Sequence, residues 1–337
     1  QHDISNILLT HSGQTESERH QTWRQALTAP MPCVVIGPRS ALFTPLADIG
    51  LVIIDECHEP SFKQEQAPRY SALRVASTLM HHTRGTLVMG SATPLVADYY
   101  LARQTGRPVI NMPRPAVTDA VQAKVTTIDM TKRANFDRHY FFSDYLLAHI
   151  DATLEAGHQV LLFHNRRGSA STTLCTNCGW YAGCDRCFVP LTLHTDTHEL
   201  ICHICGRTHR VPTVCPECGY TDIVHKGIGT KLIESEIRKL YPQATIARFD
   251  GDTASGDTVD QRYQELYDGK IQILIGTQVL AKGLDLPHLR TVGVVQADAG
   301  LSLPDYSSSE RTFQLLAQVI GRVGRSAHET QVIVQSY

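Results

Sequence analysis

The 337-residue chain has no apolar run approaching the ~20 residues needed to cross a bilayer, which argues against a membrane helix. No signal peptide opens it. It also lacks a surplus of either charge: 31 Lys and Arg stand against 33 Asp and Glu, a formal net charge of −2. That excludes a wholesale polybasic nucleic-acid binder but leaves room for local basic patches. Low-complexity tracts are absent, as is any internal repeat beyond four C-x-x-C pairs. An initiator Met is missing too. The chain starts at Gln1, just before a strand-like run at Ile7–Leu9, and reads as a piece of a longer protein. What is present is a globular composition, with 42% apolar and 19% charged residues, and length enough for two cores.

Short β-rich apolar runs alternate with helical patterns. In residues 1–110 they are Ile7–Leu9, Cys33–Ile36, Leu51–Ile54 and Thr86–Met89. Such alternation predicts a parallel sheet covered on both faces. A proline-rich stretch, 107–118, reads as a linker. A second series follows, with strands expected at 159–164, 245–249, 271–275, 291–295 and 331–335. Helices are expected near 143–156, 229–240, 258–268 and 307–320.

Eight of the ten Cys fall between Cys175 and Cys218; Cys33 and Cys57 stand apart. The eight form the pairs Cys175/Cys178, Cys184/Cys187, Cys202/Cys205 and Cys215/Cys218. A C-x-x-C knuckle aims two thiolates at one ion, and two knuckles complete a tetrahedral site, so eight thiolates imply two zinc ions. Spacers of 5, 14 and 9 residues separate the pairs. The middle spacer suits a ribbon in which the inner pairs share one ion and the outer pairs the other. Gly179, Gly206 and Gly219 each follow a second Cys, where a positive φ is often required. His194, His198, His203 and His209 lie close by; with eight thiolates available they read as surface or supporting residues, not ligands. The block shows no apolar periodicity and reads as an insertion that metal stabilises in place of a core.

Two strand ends carry polar residues of catalytic character. Asp55 and Glu56 follow Leu51–Ile54, and Gly90–Thr93 (G-S-A-T) follows Thr86–Met89. In parallel sheets ligands bind at the carboxyl ends of strands. There an acid can hold Mg²⁺ on phosphates, and the next can orient the attacking water. Near the C-terminus, Ser307 and Glu310 have capping-box spacing. The helix they start is expected to turn Phe313, Leu316, Val319 and Ile320 inward. Gln318, Arg322 and Arg325 would stack on another face, an arrangement suited to clamping polyphosphate.

DECH (55–58), GSATP (90–94), GTQVLAKGLDLP (276–287) and QVIGRVGR (318–325) resemble the ordered motifs of a superfamily 2 helicase. Further segments are similar to the PriA family of replication-restart helicases: HSGQTESER (11–19), GPRSALFTP (37–45), HNRRG (164–168), the eight Cys, GIGTKLIE (227–234), RFDGDT (248–253) and LPDYSSSERTFQ (303–314). The resemblance implies an α/β chain of two RecA-like helicase lobes with a small two-zinc, Cys-rich insertion in the second. Residues 1–115 would form an incomplete first lobe, 116–174 the start of the second, 175–218 the insertion and 219–337 the remainder. It implies an ATP-dependent 3′→5′ DNA helicase acting in replication restart and primosome assembly. Asp55, Glu56 and Arg322 would be catalytic, with Arg322 as arginine finger. His58, Gly283, Asp285, Gln318 and Arg325 would serve the Mg–ATP site and its link to DNA. SFKQEQAPRYSA (61–72) resembles a loop that senses single-stranded DNA, through Phe62, Lys63, Arg69 and Tyr70. The family's zinc ligands are nested, outer pairs on one ion and inner pairs on the other. Implied partners are single-stranded and forked DNA, other primosome proteins and single-stranded-DNA-binding protein, in a bacterial, nucleoid-associated cytoplasmic setting without a membrane.

Departures from the family pattern also stand out. Cys57 replaces a usual Glu and Leu284 a usual His. No G-x-x-x-x-G-K-[ST] occurs anywhere in the chain. That loop cradles phosphates with backbone N–H groups and a Lys, so this chain alone is expected to hydrolyse ATP negligibly. The competing reading is a non-catalytic zinc-dependent interaction module, for DNA or protein, on a degenerate motor scaffold.

Overall fold

A computed structural model describes the chain except for residues 1–5, 30–31, 114–120, 165–172, 176, 179, 189, 195, 226–227, 251–258, 260, 278–285, 302–304, 324–328 and 337. It has two compact units, Gln1–Val109 and Ile110–Tyr337. Ile110 and Met112, at the start of the second unit's sequence, are 85% and 89% exposed.

In the first unit the order is β1 (Asn6–Leu9), α1 (Glu16–Thr28), β2 (Cys33–Ile36), β3 (Leu51–Ile54), α2 (Ala72–Thr83), β4 (Thr86–Met89) and α3 (Val96–Gln104). Strands β1 and β2 pair in parallel, as do β3 and β4. Helix α1 starts in a full capping box: the Thr15 hydroxyl accepts from Glu18 N–H, and the Glu18 carboxylate accepts from Thr15 N–H at 2.7 Å. The expectation of cover on both faces fails here. Ile7, Leu9, Leu51, Ile53 and Val88 are exposed within this unit. Its small core is Ile54, Cys57 and Ala76 with Leu42, Val52, Phe62, Leu73 and Leu87 around them.

The second unit is built on a six-stranded parallel sheet. Its elements are β5 (Lys124–Asp129), α4 (Asp144–Glu155), β6 (Gln159–Phe163), then the Cys-rich strands β7 (Thr173–Cys175), β8 (Thr192–His194), β9 (Glu199–Ile201), β10 (Thr208–Arg210) and β11 (Ile223–His225). After them come α5 (Thr230–Leu240), β12 (Ile246–Phe249), α6 (Tyr263–Tyr267), β13 (Ile273–Gly276), β14 (Leu289–Val294), α7 (Ser308–Val323) and β15 (Gln331–Ser336). The sheet order is β12-β13-β6-β14-β15-β5. Alternate side chains of the same strands feed two cores, one on each face. Val160, Leu162, Ile273, Ile275 and Ile333 pack with Leu146, Ile150, Ile233 and Ile237 of α4 and α5. Leu161, Phe163, Leu274, Val292 and Val332 pack with Leu266, Leu315 and Val319 of α6 and α7. A Cβ on Gly293 would lie 2.7 Å from the Leu146 side chain, so this position lets α4 approach β14 closely.

Two sequence expectations need correction. Edge strand β5 has no counterpart among the expected strands; it joins the sheet beside β15 over six register pairs. Phe313 is 71% exposed rather than inward. The buried stripe of α7 runs through Thr312, Leu315 and Val319, with Leu316 and Ile320 on its flank. Phe313 falls outside that stripe by helical geometry.

Candidate zinc centres and motor site

Strands β7 and β11 pair antiparallel, with Cys175 opposite Ile223 and Thr173 opposite His225. They bring the two ends of the Cys-rich block together. Between them β8, β9 and β10 form a three-stranded antiparallel sheet. This layout places Cys175, Cys178, Cys215 and Cys218 in one set and Cys184, Cys187, Cys202 and Cys205 in another. Within each set the sulfurs all lie within 4.8 Å of one another. Cys175 and Cys218 are 3.7 Å apart, Cys178 and Cys215 3.5 Å, and Cys184 and Cys205 3.6 Å. A disulfide would need about 2.05 Å. A tetrahedron of sulfurs about 2.3 Å from zinc has edges of about 3.75 Å. The donor set and spacing therefore fit two zinc ions, nested outer with outer and inner with inner.

The knuckles share one backbone design. The residue after the second Cys donates to the first Cys carbonyl: Phe188 to Cys184 and Gly206 to Cys202 at 2.8 Å, and Gly219 to Cys215 at 3.0 Å. That residue takes positive φ in all three, +75° at Gly206, +70° at Gly219 and +54° at Phe188. Gly179 lies outside the described residues. The thiols are unequal. The Asn177 amide and then the Tyr220 N–H hold Cys218 down to about 6, and the Arg207 N–H holds Cys205 down to about 7. Desolvation, with neighbouring thiols, pushes Cys178 and Cys187 up to about 12. Four thiolates cannot coexist so closely without a cation to take the place of their protons.

The second candidate site lies where β3 and β4 end in the first unit. Gly90 N–H donates to Ile54 O at 2.8 Å and Cys57 N–H to Gly90 O at 3.0 Å, so the two strand ends are tied together. Asp55 and Glu56 are exposed there, and Asp55 Oδ1 accepts Glu56 N–H at 2.9 Å. Glu56 has φ +47°, a sparsely populated conformation for a residue with a Cβ and one that concentrates at functional sites. His58 is buried, with Nδ1 2.7 Å from Ser91 Oγ and 3.5 Å from the Glu56 carboxylate. Ser91 Oγ in turn accepts Thr93 N–H at 3.0 Å. Thus D-E-C-H and G-S-A-T form one hydrogen-bonded unit. Cys57 is turned into the core at 4% exposure, and burial pushes its thiol up, with the Asp98 carboxylate adding to the effect.

The residues of the segment 61–72 separate. Phe62 packs into the core near Cys57. Lys63, Arg69 and Tyr70 instead line a pocket of about 1150 Å³ together with Phe43, Arg74 and His82. Tyr70 meets the Phe43 ring edge-on at 5.3 Å. The loop is clamped: Gln64 N–H donates to Tyr70 O at 2.8 Å, and the Arg39 guanidinium reaches the carbonyls of Ser61 and Lys63. Phe43, Arg39 and Arg74 were not picked out from sequence. Arg39 and Phe43 had GPRSALFTP as their only signal, which names no contact across the roughly twenty residues to the loop, and Arg74, on α2, had none.

Gly283, Asp285 and Arg325 lie outside the described residues, and of Arg322 the helix backbone alone is described. Gln318 is half-buried on α7. Ser307 precedes α7, and its hydroxyl donates to Asp305 Oδ1 at 2.8 Å. Among the described residues no helix is long and apolar enough to cross a membrane.

Residues 219–327 match the Helicase conserved C-terminal domain family, and residues 184–210 match the PriA DNA helicase Cys-rich region (CRR) domain. The chain is 38% identical over 334 residues to Replication restart protein PriA of Bacillus subtilis (strain 168), covering 99% of this chain and 41% of that protein. It is 40% identical over 333 residues to Replication restart protein PriA of Treponema pallidum (strain Nichols), covering 98% and 50%. It therefore spans half or less of the length of these relatives. Among solved structures, the DUF1998 helicase MrfA bound to DNA aligns at a TM-score of 0.51 and 14% identity, over 99% of this chain and 36% of that one. That likeness concerns the fold alone.

Proposed function

Because the chain belongs to the PriA family of replication restart proteins, we propose that it is part of an ATP-dependent 3′→5′ DNA helicase acting in replication restart and primosome assembly. The observation that carries this reading is the tie between the Asp55–Glu56 strand end and Ser91 through His58. It joins two carboxylates suited to Mg²⁺ and water with a hydroxyl residue of the next strand end. Asp55 is assigned to the metal and Glu56 to the water. Mg–ATP, when bound, supplies the phosphoryl group whose transfer drives movement. Gln318, Arg322 and Arg325 are assigned to the phosphates, with Arg322 stabilising developing charge. Gly283 and Asp285 are assigned to the link with DNA.

Lys63, Arg69 and Tyr70 offer two cations and an aromatic ring to single-stranded DNA, where stacking and phosphate contact add up. Forked DNA, other primosome proteins and single-stranded-DNA-binding protein follow as partners of the whole protein, in the bacterial cytoplasm near the nucleoid.

The test is Glu56→Gln in the full-length protein. DNA-stimulated ATP turnover should fall roughly 10²–10⁴-fold, the range for a positioned general base, while single-stranded DNA binding persists. Unchanged turnover and unwinding would overturn the motor assignment of Glu56. The 337-residue chain, lacking a G-x-x-x-x-G-K-[ST] loop, should turn over ATP negligibly beside the full-length protein. Comparable turnover would show that its phosphate cradle lies elsewhere.

A further inference from the structure

Eight thiolates account for both zinc ions, so neither ion needs a histidine of the Cys-rich block as ligand. Two of them face each other. His194 ends β8, and His203 sits inside the Cys202–Cys205 knuckle. Their Nε2 atoms are 3.3 Å apart, with ring centroids 5.1 Å apart and planes at 47°. We propose that His194 and His203 form a third, exchangeable metal site for an imidazole-preferring divalent ion such as Zn²⁺ or Ni²⁺.

Two imidazole nitrogens held about 2.0–2.1 Å from a tetrahedral ion lie about 3.3 Å apart, the separation seen here. The same 3.3 Å also admits a direct N–H···N hydrogen bond between the rings, which a bound ion would replace. The backbone fixes both rings from different elements. Strand β8 is locked to β9 in register, with His194 opposite Glu199, and His203 is held by the cysteines on either side of it. Glu199 is the cross-strand partner of His194 and lies on the same face of the ladder. Electrostatics favours the same place. One Zn²⁺ with four thiolates carries a net charge of −2, and His203 belongs to that knuckle, so a further cation is attracted there. Two nitrogens with water in the remaining positions make a weaker site than four thiolates. Its ion should therefore exchange while the other two stay, and imidazole suits Zn²⁺ and Ni²⁺. Such an ion would brace β8 against the knuckle tip. The site rests on the two-zinc reading of the cysteines and is independent of the motor assignment.

The test starts from the 337-residue chain loaded with two Zn²⁺ and dialysed against rising free Zn²⁺, with elemental analysis of metal per chain. The wild type should step from two ions to three. His194→Ala and His203→Ala should keep two and lose the third step. If His203→Ala falls below two because its knuckle is disturbed, His194→Gln, outside any knuckle, gives the reading. In parallel, Ni²⁺ should broaden the His194 and His203 imidazole NMR signals before those of other histidines. Coincident Zn²⁺ curves for wild type and the His194 variants, or Ni²⁺ broadening that begins elsewhere, would overturn the site. Fewer than two ions in all variants would instead break the two-zinc reading on which it rests.

Discussion

Phe188 holds φ at +54° although its Cβ crowds the backbone there, a conformation that costs an L-residue roughly 1–2 kcal/mol. Gly206 and Gly219 hold the same knuckle position without that crowding. Phe188 is also 75% exposed, so little burial offsets the cost. Phe188→Gly should therefore strengthen the inner knuckle, raising the chelator concentration needed to strip its zinc. Gly219→Ala should weaken the outer one by a similar amount. A chelator titration followed by metal release checks both, and a Phe188→Gly protein that loses zinc more easily would refute the strain. The need for positive φ was legible at this scale, since two of these positions carry Gly. That Phe188 would meet the same need was not, because a turn imposes φ whatever side chain it is given. The same limit applies to Cys57. Its place between Glu56 and His58 says motif, and only packing shows that it belongs to the core.

Among the elements, the segment leading into α4 holds a half-buried histidine with a defined tautomer. His139 Nδ1 accepts N–H from Phe141 at 3.3 Å and Phe142 at 3.2 Å, which requires Nδ1 to be unprotonated. Its Nε2 faces Glu236 at 3.4 Å, with Lys239 on the far side of that carboxylate at 2.7 Å. Burial holds the His139 pKa below the ordinary histidine value, outweighing the pull of Glu236, and Lys239 adds to the lowering. Between the folded value and the unfolded one of about 6.5, the unfolded chain binds more protons. Stability from this group is thus full above about 6.5 and is lost as pH falls toward the folded value. Thermal unfolding of the second unit should move down over that window, before carboxylates titrate. His139→Gln, whose amide oxygen can accept the same N–H groups, should flatten the window; an unchanged pH profile would contradict the assignment. Strands β6, β13 and β14 were visible in sequence as short β-rich apolar runs, and α4 and α5 through apolar residues at helical spacing, whereas α1 and α3 bury almost nothing. Strand β5 was missed because KVTTID carries little apolar signal. It is recruited by hydrogen bonding to β15, not by its own burial. Phe313 was misplaced for a related reason. A stripe read one residue over fits helical spacing almost as well, and only the facing sheet decides between them.

For the whole molecule, the two cores and the Cys-rich block draw their stability from different sources. The six-stranded sheet is buried on both faces, whereas the block has a small core that includes its own ligands Cys184 and Cys202. Removing zinc should therefore unfold residues 175–218 first and leave the parallel sheet standing. Amide hydrogen exchange after chelation should lose protection in β8 to β10 while β6, β13 and β14 keep theirs; simultaneous loss would mean the sheet depends on the metal. Sequence by itself determined the two-lobed α/β class, the eight thiolates and the order of D-E-C-H, G-S-A-T and the later motifs. These are set by local patterns: apolar period, knuckle spacing, and acids at strand ends. Only the tertiary structure decided that His58 bonds Ser91, that Arg39 clamps the loop beyond D-E-C-H, that Phe62 leaves that loop for the core, and that His194 meets His203. The first two join residues more than twenty apart in the chain, and all four depend on strand pairing and packing, which no local pattern encodes.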